Sequence, residues 1–246
     1  MPSDELTRFF GAQSAALQSI HQALKDANLV RIATAYFEAS GYQVLQETLA
    51  GKRIHLLIGR GEGGLDNVAQ VLNEFEQELS SGNLERRTRA MRLMLEAMQQ
   101  GLMSVAVGEQ SIEQAAAMDA RYLYHHAKLY ISDEAAAVVT SANFSYHGMI
   151  NSREAGITVF DPDDVAFFVR RFDQYFSKAQ KITQALIDKL LAWLQAYDPY
   201  LIYARALLEL YGLPDENIPE SLPPLAPYQR AVVSSVLVAC QSCFDR

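Results

Sequence analysis

The stretch YHHAKLYISD at residues 124–133, followed by AAVVTSAN at residues 136–143, contains the pattern that decides the fold. Both stretches are rich in β-branched and apolar residues and are separated by a short acidic turn, which predicts two adjacent antiparallel strands. Side chains two positions apart in a strand point to the same face of the sheet. His126 and Lys128 therefore project together from one face of the first strand.

The second predicted strand ends by delivering two more polar side chains, Ser141 and Asn143, which are again two positions apart. The two strands thus bring an imidazole, an ammonium, a hydroxyl and a carboxamide to one small volume. This set suits a phosphate group, because it combines a nucleophile or acid, one fixed positive charge and two neutral donors. Such a set needs no metal ion.

The spacing of these residues resembles the motif of the phospholipase D superfamily, which is His-x-Lys, four residues, Asp, six residues, then Gly-Ser-x-Asn. Four residues separate Lys128 from Asp133, and six separate Asp133 from Thr140, which stands where the family has glycine. Nucleases of the family also carry an acidic residue about eleven positions after the asparagine. Glu154 occupies that place after Asn143.

The resemblance implies a phosphodiesterase without metal or cofactor, in which His126 attacks phosphorus and forms a phosphohistidine intermediate. It also implies a homodimer, since the superfamily builds one active site from two motifs and this chain contains one. Lys128 and Asn143 are expected to hold phosphate oxygens, and Glu154 to orient an imidazole. Asp133 is expected to fix the turn beneath the site rather than to contact substrate.

The rest of the chain predicts an α/β protein with a mixed sheet flanked by helices and followed by a helical extension. Apolar residues recur at helical spacing over residues 5–27, and nearly continuous apolar runs at residues 29–37 and 53–59 predict buried strands. The order strand, helix, strand favours a parallel pair. Two more helices are predicted at residues 65–79 and 84–100, and Asp161-Pro162 predicts the start of another, because proline suits the first turn of a helix.

The composition divides the chain into four segments: an α/β domain at 1–181, which the resemblance implies is a phospholipase-D-like catalytic domain, a helical connector at 182–211, a Pro-rich linker at 212–227 and a further domain that begins at 228–246. The connector and the linker are similar to the region that joins nuclease domains of this kind to SNF2-type helicase motors. Residues 225–232, at the boundary with this last segment, are similar to the entry helix of such a motor. A helicase motor is therefore an expected partner in the full-length protein.

The formal net charge is −8, from 21 Lys and Arg against 29 Asp and Glu. Coating of nucleic acid depends on neutralising phosphates with Lys and Arg, so this composition argues against a protein whose main role is to coat it. The two cysteines, Cys240 and Cys243, cannot form a disulfide framework across the chain. With no signal peptide or membrane-spanning segment recognised in the sequence, the cytoplasm is the expected location.

The leading hypothesis is a metal-independent endonuclease that cleaves DNA, in preference to RNA, at a site formed by two chains. One alternative is a non-catalytic module of a helicase that dimerises or senses DNA. A second is a phospholipid hydrolase, although the sequence offers no amphipathic helix of the kind that lies on a membrane.

Overall fold

The computed structural model describes most of the region that carries the predicted catalytic domain, together with the first part of the helical connector. The described residues are 9–10, 14–59, 67–79, 84–108, 127–133, 135–196 and 227. The predicted nucleophile His126 lies outside them, as do the predicted connector helix at residues 199–211, most of the Pro-rich linker and residues 228–246. Chain packing divides the protein into two units, Met1–Ile187 and Asp188–Arg246, and the whole sheet belongs to the first.

Eight strands and six α-helices are described, together with one π-helical turn. The strands are β1 (Phe9–Phe10), β2 (Leu29–Thr34), β3 (Arg53–Ile58), β4 (Met103–Val107), β5 (Leu129–Ser132), β6 (Ala136–Thr140), β7 (Gly156–Val159) and β8 (Gln180–Lys181). The helices are α1 (Ala15–Leu24), α2 (Ala39–Leu49), α3 (Asn67–Leu79), α4 (Leu84–Gln99), α5 (Pro162–Lys178) and α6 (Thr183–Ala196), and the π-helical turn is His147–Asn151.

The strands form one mixed sheet in the order β1-β7-β6-β5-β2-β3-β4-β8. Strands β2, β3 and β4 are parallel, and the register that pairs Leu29 with Arg53 confirms the predicted parallel pair. The remaining pairs are antiparallel, and β5 and β6 form the predicted hairpin, with Tyr130 opposite Val138. Strand β5 also pairs antiparallel with β2, so the hairpin joins the parallel half of the sheet directly.

Both faces of the central strands are buried, which explains why their sequences are nearly continuous apolar runs rather than alternating ones. On one face Leu129 and Ile131 pack in a cluster with Phe172 of α5. On the other face Ile32 and Tyr130 are fully buried. The mixed sheet flanked by helices is therefore the predicted fold class.

The start of the chain corrects one prediction. The apolar pattern predicts a single helix over residues 5–27, but α1 begins at Ala15, and Phe9–Phe10 instead form the edge strand β1 on β7. Ser14 has a left-handed backbone (φ 61°), which is incompatible with a continuous helix through this position. Pairing with β7 gives the preceding residues the backbone hydrogen bonds that a helix would have provided.

Candidate functional site

Lys128 lies at the start of β5, on the edge of the sheet where β2 and β6 end. The backbone carbonyl of Lys128 accepts a hydrogen bond from Thr140 N at 3.0 Å, so strand pairing continues one residue beyond β5. The lysine is only 8% exposed. Burial lowers the pKa of the Lys128 ammonium, while the Glu154 carboxylate opposes this shift. A cation in such a desolvated position attracts an anion more strongly than one in water.

Ser141 and Glu154 form a pair at the same edge. The Ser141 hydroxyl donates a short hydrogen bond to the Glu154 carboxylate and accepts one from Ala155 N at 3.1 Å. The Ser141 backbone N–H donates to the carbonyl of Ala155 at 2.9 Å. The hydroxyl also lies 3.3 Å from the Ala155 carbonyl oxygen, a second acceptor for its one proton. Ser141 thus contacts the Glu154 carboxylate, and its predicted role as a donor to the phosphate stays a prediction.

Asn143 is held by the end of β2. Its Oδ1 atom accepts a hydrogen bond from Tyr36 N at 3.3 Å and lies 3.4 Å from the Thr34 hydroxyl. That hydroxyl donates at 2.7 Å to the carbonyl of Tyr36 and accepts from Phe144 N at 2.9 Å. With Oδ1 engaged, the amide group of Asn143 is the part of this side chain that can donate to a substrate oxygen.

Thr34 is the positioning residue that sequence reasoning missed. It is fully buried and ends a strand that is apolar apart from Arg31, and the pairing of Ala33 with Leu129 places it beside Lys128. A signal was available, because a buried hydroxyl at the end of an apolar strand must find hydrogen-bond partners. Identifying those partners as Tyr36 and Phe144, however, requires the pairing of β2 with β5.

Two glycines that have no room for a side chain contact the asparagine loop, residues 141–146: Gly41 of α2 and Gly148 of the π-helical turn. A Cβ atom on Gly41 would lie 2.3 Å from the Phe144 carbonyl oxygen, and one on Gly148 would lie 2.9 Å from Asn143 N and O. The Phe144 ring stacks on Phe37 with their centroids 5.8 Å apart. Close backbone contact and a buried aromatic pair thus hold Asn143 in place.

Thr140, which replaces the family's glycine, contributes to this support. Its hydroxyl donates to the carbonyl of Ala155 at 3.1 Å and accepts from Ala142 N at 3.1 Å. Beneath it, the buried Tyr130 hydroxyl donates to the Ala142 carbonyl at 3.2 Å. Burial raises the pKa of Tyr130, and the Glu154 charge raises it further, so this phenol stays protonated.

Asp133 lies at the opposite end of β5. Its carboxylate accepts hydrogen bonds from the backbone N–H groups of Asn28 at 2.9 Å and Leu29 at 2.7 Å. Asp133 is five positions after Lys128, which at about 3.3 Å per strand residue is a distance of about 16 Å. The structure thus brings Lys128, Ser141, Asn143 and Glu154 together, and it places Asp133 in the turn.

Two properties of the described residues bear on cofactors and membranes. No three His, Cys, Asp or Glu side chains among them are grouped so that they could hold a metal ion. Within the same parts of the chain, no helix combines the length and the apolar character needed to cross a bilayer.

Comparison with known proteins places this geometry in a family. The family model described as cardiolipin synthase, PLD-like domain, matches residues 17–179, about two thirds of the chain. The search of curated proteins gave no significant match.

Several solved structures are similar at low identity. The phospholipase D family member Nuc from Salmonella typhimurium is 12% identical with a TM-score of 0.45, and the match covers 70% of this chain and 95% of Nuc. NucT from Helicobacter pylori is 13% identical with a TM-score of 0.44, covering 70% and 96%. Phosphatidylserine synthase from Haemophilus influenzae is 16% identical with a TM-score of 0.43, covering 76% and 44%. On the family match over residues 17–179, the chain belongs to the phospholipase-D-like domain family.

Proposed function

We propose that this protein is a metal-independent phosphodiesterase that cleaves nucleic acid, with DNA as the preferred substrate. One observation carries the proposal: the buried ammonium of Lys128 stands with Asn143 and Glu154 at one sheet edge, two residues after His126 in the chain. A desolvated cation and a fixed amide donor are suited to the equatorial oxygens of a phosphodiester. A histidine two residues before this lysine in the sequence is suited to attack phosphorus.

The proposed reaction has two steps. First, a ring nitrogen of His126 attacks phosphorus, the bond from phosphorus to the leaving oxygen breaks, and His126 of the partner subunit gives that oxygen a proton. Then a water molecule attacks phosphorus, the phosphorus–nitrogen bond breaks, and the partner subunit's His126 accepts the water proton. Dividing one displacement into two easier steps is the advantage of a covalent intermediate. Proton transfer by the second imidazole contributes roughly 10²–10⁴-fold.

The proposal requires two chains, because one chain carries a single His-x-Lys motif. A symmetric dimer would place two copies of Lys128 and Asn143 around one phosphate on or near the two-fold axis. Such a site would bring two ammonium groups to one phosphate even though the chain carries a formal charge of −8. Light scattering tests this requirement, since a strict monomer that retains full activity contradicts it.

Support for DNA over RNA comes from the C-terminal sequence rather than from the site, which recognises phosphate and not a base. Residues 182–211 and the Pro-rich linker at 212–227 are similar to the region that precedes SNF2-type helicase motors. We therefore propose that the domain is the nuclease module of a helicase. A helicase would supply the unwound or translocated DNA that the nuclease cleaves.

The decisive experiment compares His126→Ala with the matched control His125→Ala. The control changes the neighbouring histidine, whose side chain is expected on the other face of the strand. Each protein is incubated with single-stranded DNA, duplex DNA and RNA of one sequence, with and without chelator. The proposal predicts that cleavage is lost in His126→Ala alone and survives chelation, and that mass spectrometry detects a nucleotide phosphate on His126. Cleavage that disappears with chelator and returns with a divalent ion would exclude the metal-independent mechanism.

A phospholipid substrate is the second candidate, because the description of the matching family names cardiolipin synthase. The same phosphate-binding edge would accept a phospholipid phosphodiester. Incubation with anionic phospholipid vesicles separates the candidates, since release of a headgroup without cleavage of any oligonucleotide favours the lipid. Binding of DNA without turnover of either substrate favours the non-catalytic module.

A further inference from the structure

Two exposed tyrosines border the asparagine loop. Tyr36 follows β2 and is 49% exposed, and Tyr146 ends the loop and is 46% exposed. Neither belongs to the sequence motif that defines the site. Large apolar surface left open in this way next to a predicted catalytic edge suggests a contact with a ligand.

The backbones of both tyrosines are fixed although their rings are open to solvent. Tyr36 N donates to Asn143 Oδ1 at 3.3 Å, and its carbonyl accepts from the Thr34 hydroxyl at 2.7 Å. Tyr146 N donates at 3.0 Å to the hydroxyl of Ser40, at the start of α2. The backbone of each tyrosine is therefore held by hydrogen bonds close to Asn143, one of the residues proposed to hold the phosphate.

Further contacts connect the segment that follows Tyr36 to the asparagine loop. Phe37 pairs with Phe144 in a single parallel bridge, and their buried rings stack. Glu38 N donates to the carbonyl of Phe144 at 3.1 Å. The segment that carries Tyr36 thus runs alongside the loop that carries Asn143 and is bonded to it. Because the backbone is already fixed, stacking on a ligand needs to order only the tyrosine side chain.

We propose that Tyr36 and Tyr146 form a stacking platform for the bases of a single-stranded nucleic acid, which rests on the proposed nuclease function. In every nucleotide the base lies one sugar away from the phosphate, so a phosphate held at Lys128 and Asn143 brings neighbouring bases to the rings that border the loop. Stacking tolerates any sequence, because every base has a π-face. Bases in a duplex are already stacked on one another, so the platform selects unpaired strands.

Equilibrium binding tests the platform independently of catalysis. Fluorescence anisotropy compares a labelled single strand of about a dozen nucleotides with an abasic strand that has the same backbone. We expect the wild-type chain to bind the base-bearing strand more tightly, and Tyr36→Ala and Tyr146→Ala each to weaken that binding by roughly tenfold. Tyr→Phe at either position retains the affinity, because the ring face is kept. The abasic strand is bound equally by all variants.

The control is Tyr175→Ala, which removes another exposed tyrosine, 43% exposed, from α5. We expect it to leave the affinity for both strands unchanged. Equal wild-type affinity for the two strands, or unchanged binding in Tyr36→Ala and Tyr146→Ala, overturns the platform. A loss of binding to anionic phospholipid vesicles, with oligonucleotide binding intact, also overturns it in favour of a lipid surface.

Cleavage assays on the same proteins separate this inference from the function on which it rests. If the wild-type chain cleaves the strand but neither alanine variant changes binding, the platform fails and the nuclease remains. If base-selective binding depends on the tyrosines but no strand is cleaved, the nuclease fails and the platform remains in a DNA-sensing module.

Discussion

Replacing Asp133 tests whether this residue of the motif supports the fold or acts on substrate. Its carboxylate bonds two backbone N–H groups, an exposed one at Asn28 and a partly buried one at Leu29. A hydrogen bond to a charged group contributes about 1.5–3 kcal/mol, and water replaces much of the exposed one. Asp133→Ala should therefore lower the free energy of unfolding by about 2–4 kcal/mol. At about 2–4 °C per kcal/mol, the melting temperature falls by several degrees or more.

The series Asp133→Asn and Asp133→Ala refines this expectation. Asparagine tolerates the left-handed backbone of this position (φ 39°) and keeps one acceptor, so it should lose about half as much stability as alanine does. Asp26→Ala, which changes an exposed aspartate shortly before Asn28, is the control and should stay within about 0.5 kcal/mol of wild type. Urea titration measures the unfolding free energy, and turnover is normalised to the folded fraction.

The distance along β5 determines what the activity should do. Because Asp133 lies about 16 Å from Lys128, it cannot contact the phosphate that Lys128 holds. Turnover per folded molecule should therefore stay close to wild type in Asp133→Ala. A variant with wild-type stability and no turnover would refute this reasoning and would indicate that Asp133 acts in the active site.

Three further substitutions test the support of the site and the buried lysine. Thr34→Val removes the acceptor of the buried Phe144 N–H and should cost about 1–3 kcal/mol in urea titration, with lower turnover because the asparagine loop shifts. Gly148→Ala places a Cβ atom 2.9 Å from backbone atoms of Asn143, so we expect a loss of about 1–3 kcal/mol and a lower kcat. Lys128→Met should abolish cleavage yet stabilise the chain at neutral pH, because the buried ammonium has a pKa below its unfolded value of 10.5. Since the folded protein releases this proton first as the pH rises, the advantage of methionine should shrink toward pH 10.5, as urea titrations at several pH values would show.

The elements predicted well were those whose signal is local. The runs that became β2 and β3 are nearly continuously apolar, and a helix between them leaves a parallel pair as the simplest arrangement. Helix α5 begins where Asp161 precedes Pro162, and the Asp161 carboxylate accepts from the backbone N–H groups of Asp163 and Asp164. The start of α1 was predicted wrongly, because apolar periodicity alone does not show where a left-handed residue interrupts a helix.

The same distinction between local sequence signals and tertiary packing applies to the site. The period of two along β5 and after β6 is enough to predict that Lys128, Ser141 and Asn143 lie together. It could not reveal Thr34 or Gly41, which lie about a hundred residues earlier in the chain and meet the asparagine loop only through tertiary packing. It also could not reveal the contact between Ser141 and the Glu154 carboxylate, since the position of that carboxylate depends on how the chain returns into β7.

The mixed pairing of the sheet explains why the site forms at this edge. In a parallel sheet the carboxyl ends of all strands lie at the same edge. Only the loops that follow the strands can therefore meet there. Because β5 and β7 run antiparallel to β2 and β6, this edge collects both kinds of strand end. The ends of β2 and β6 supply Thr34 and Asn143, and the approaches to β5 and β7 supply Lys128 and Glu154. This arrangement also leaves Lys128 buried directly before β5. The desolvation that lowers the pKa of its ammonium therefore follows from the topology that assembles the site.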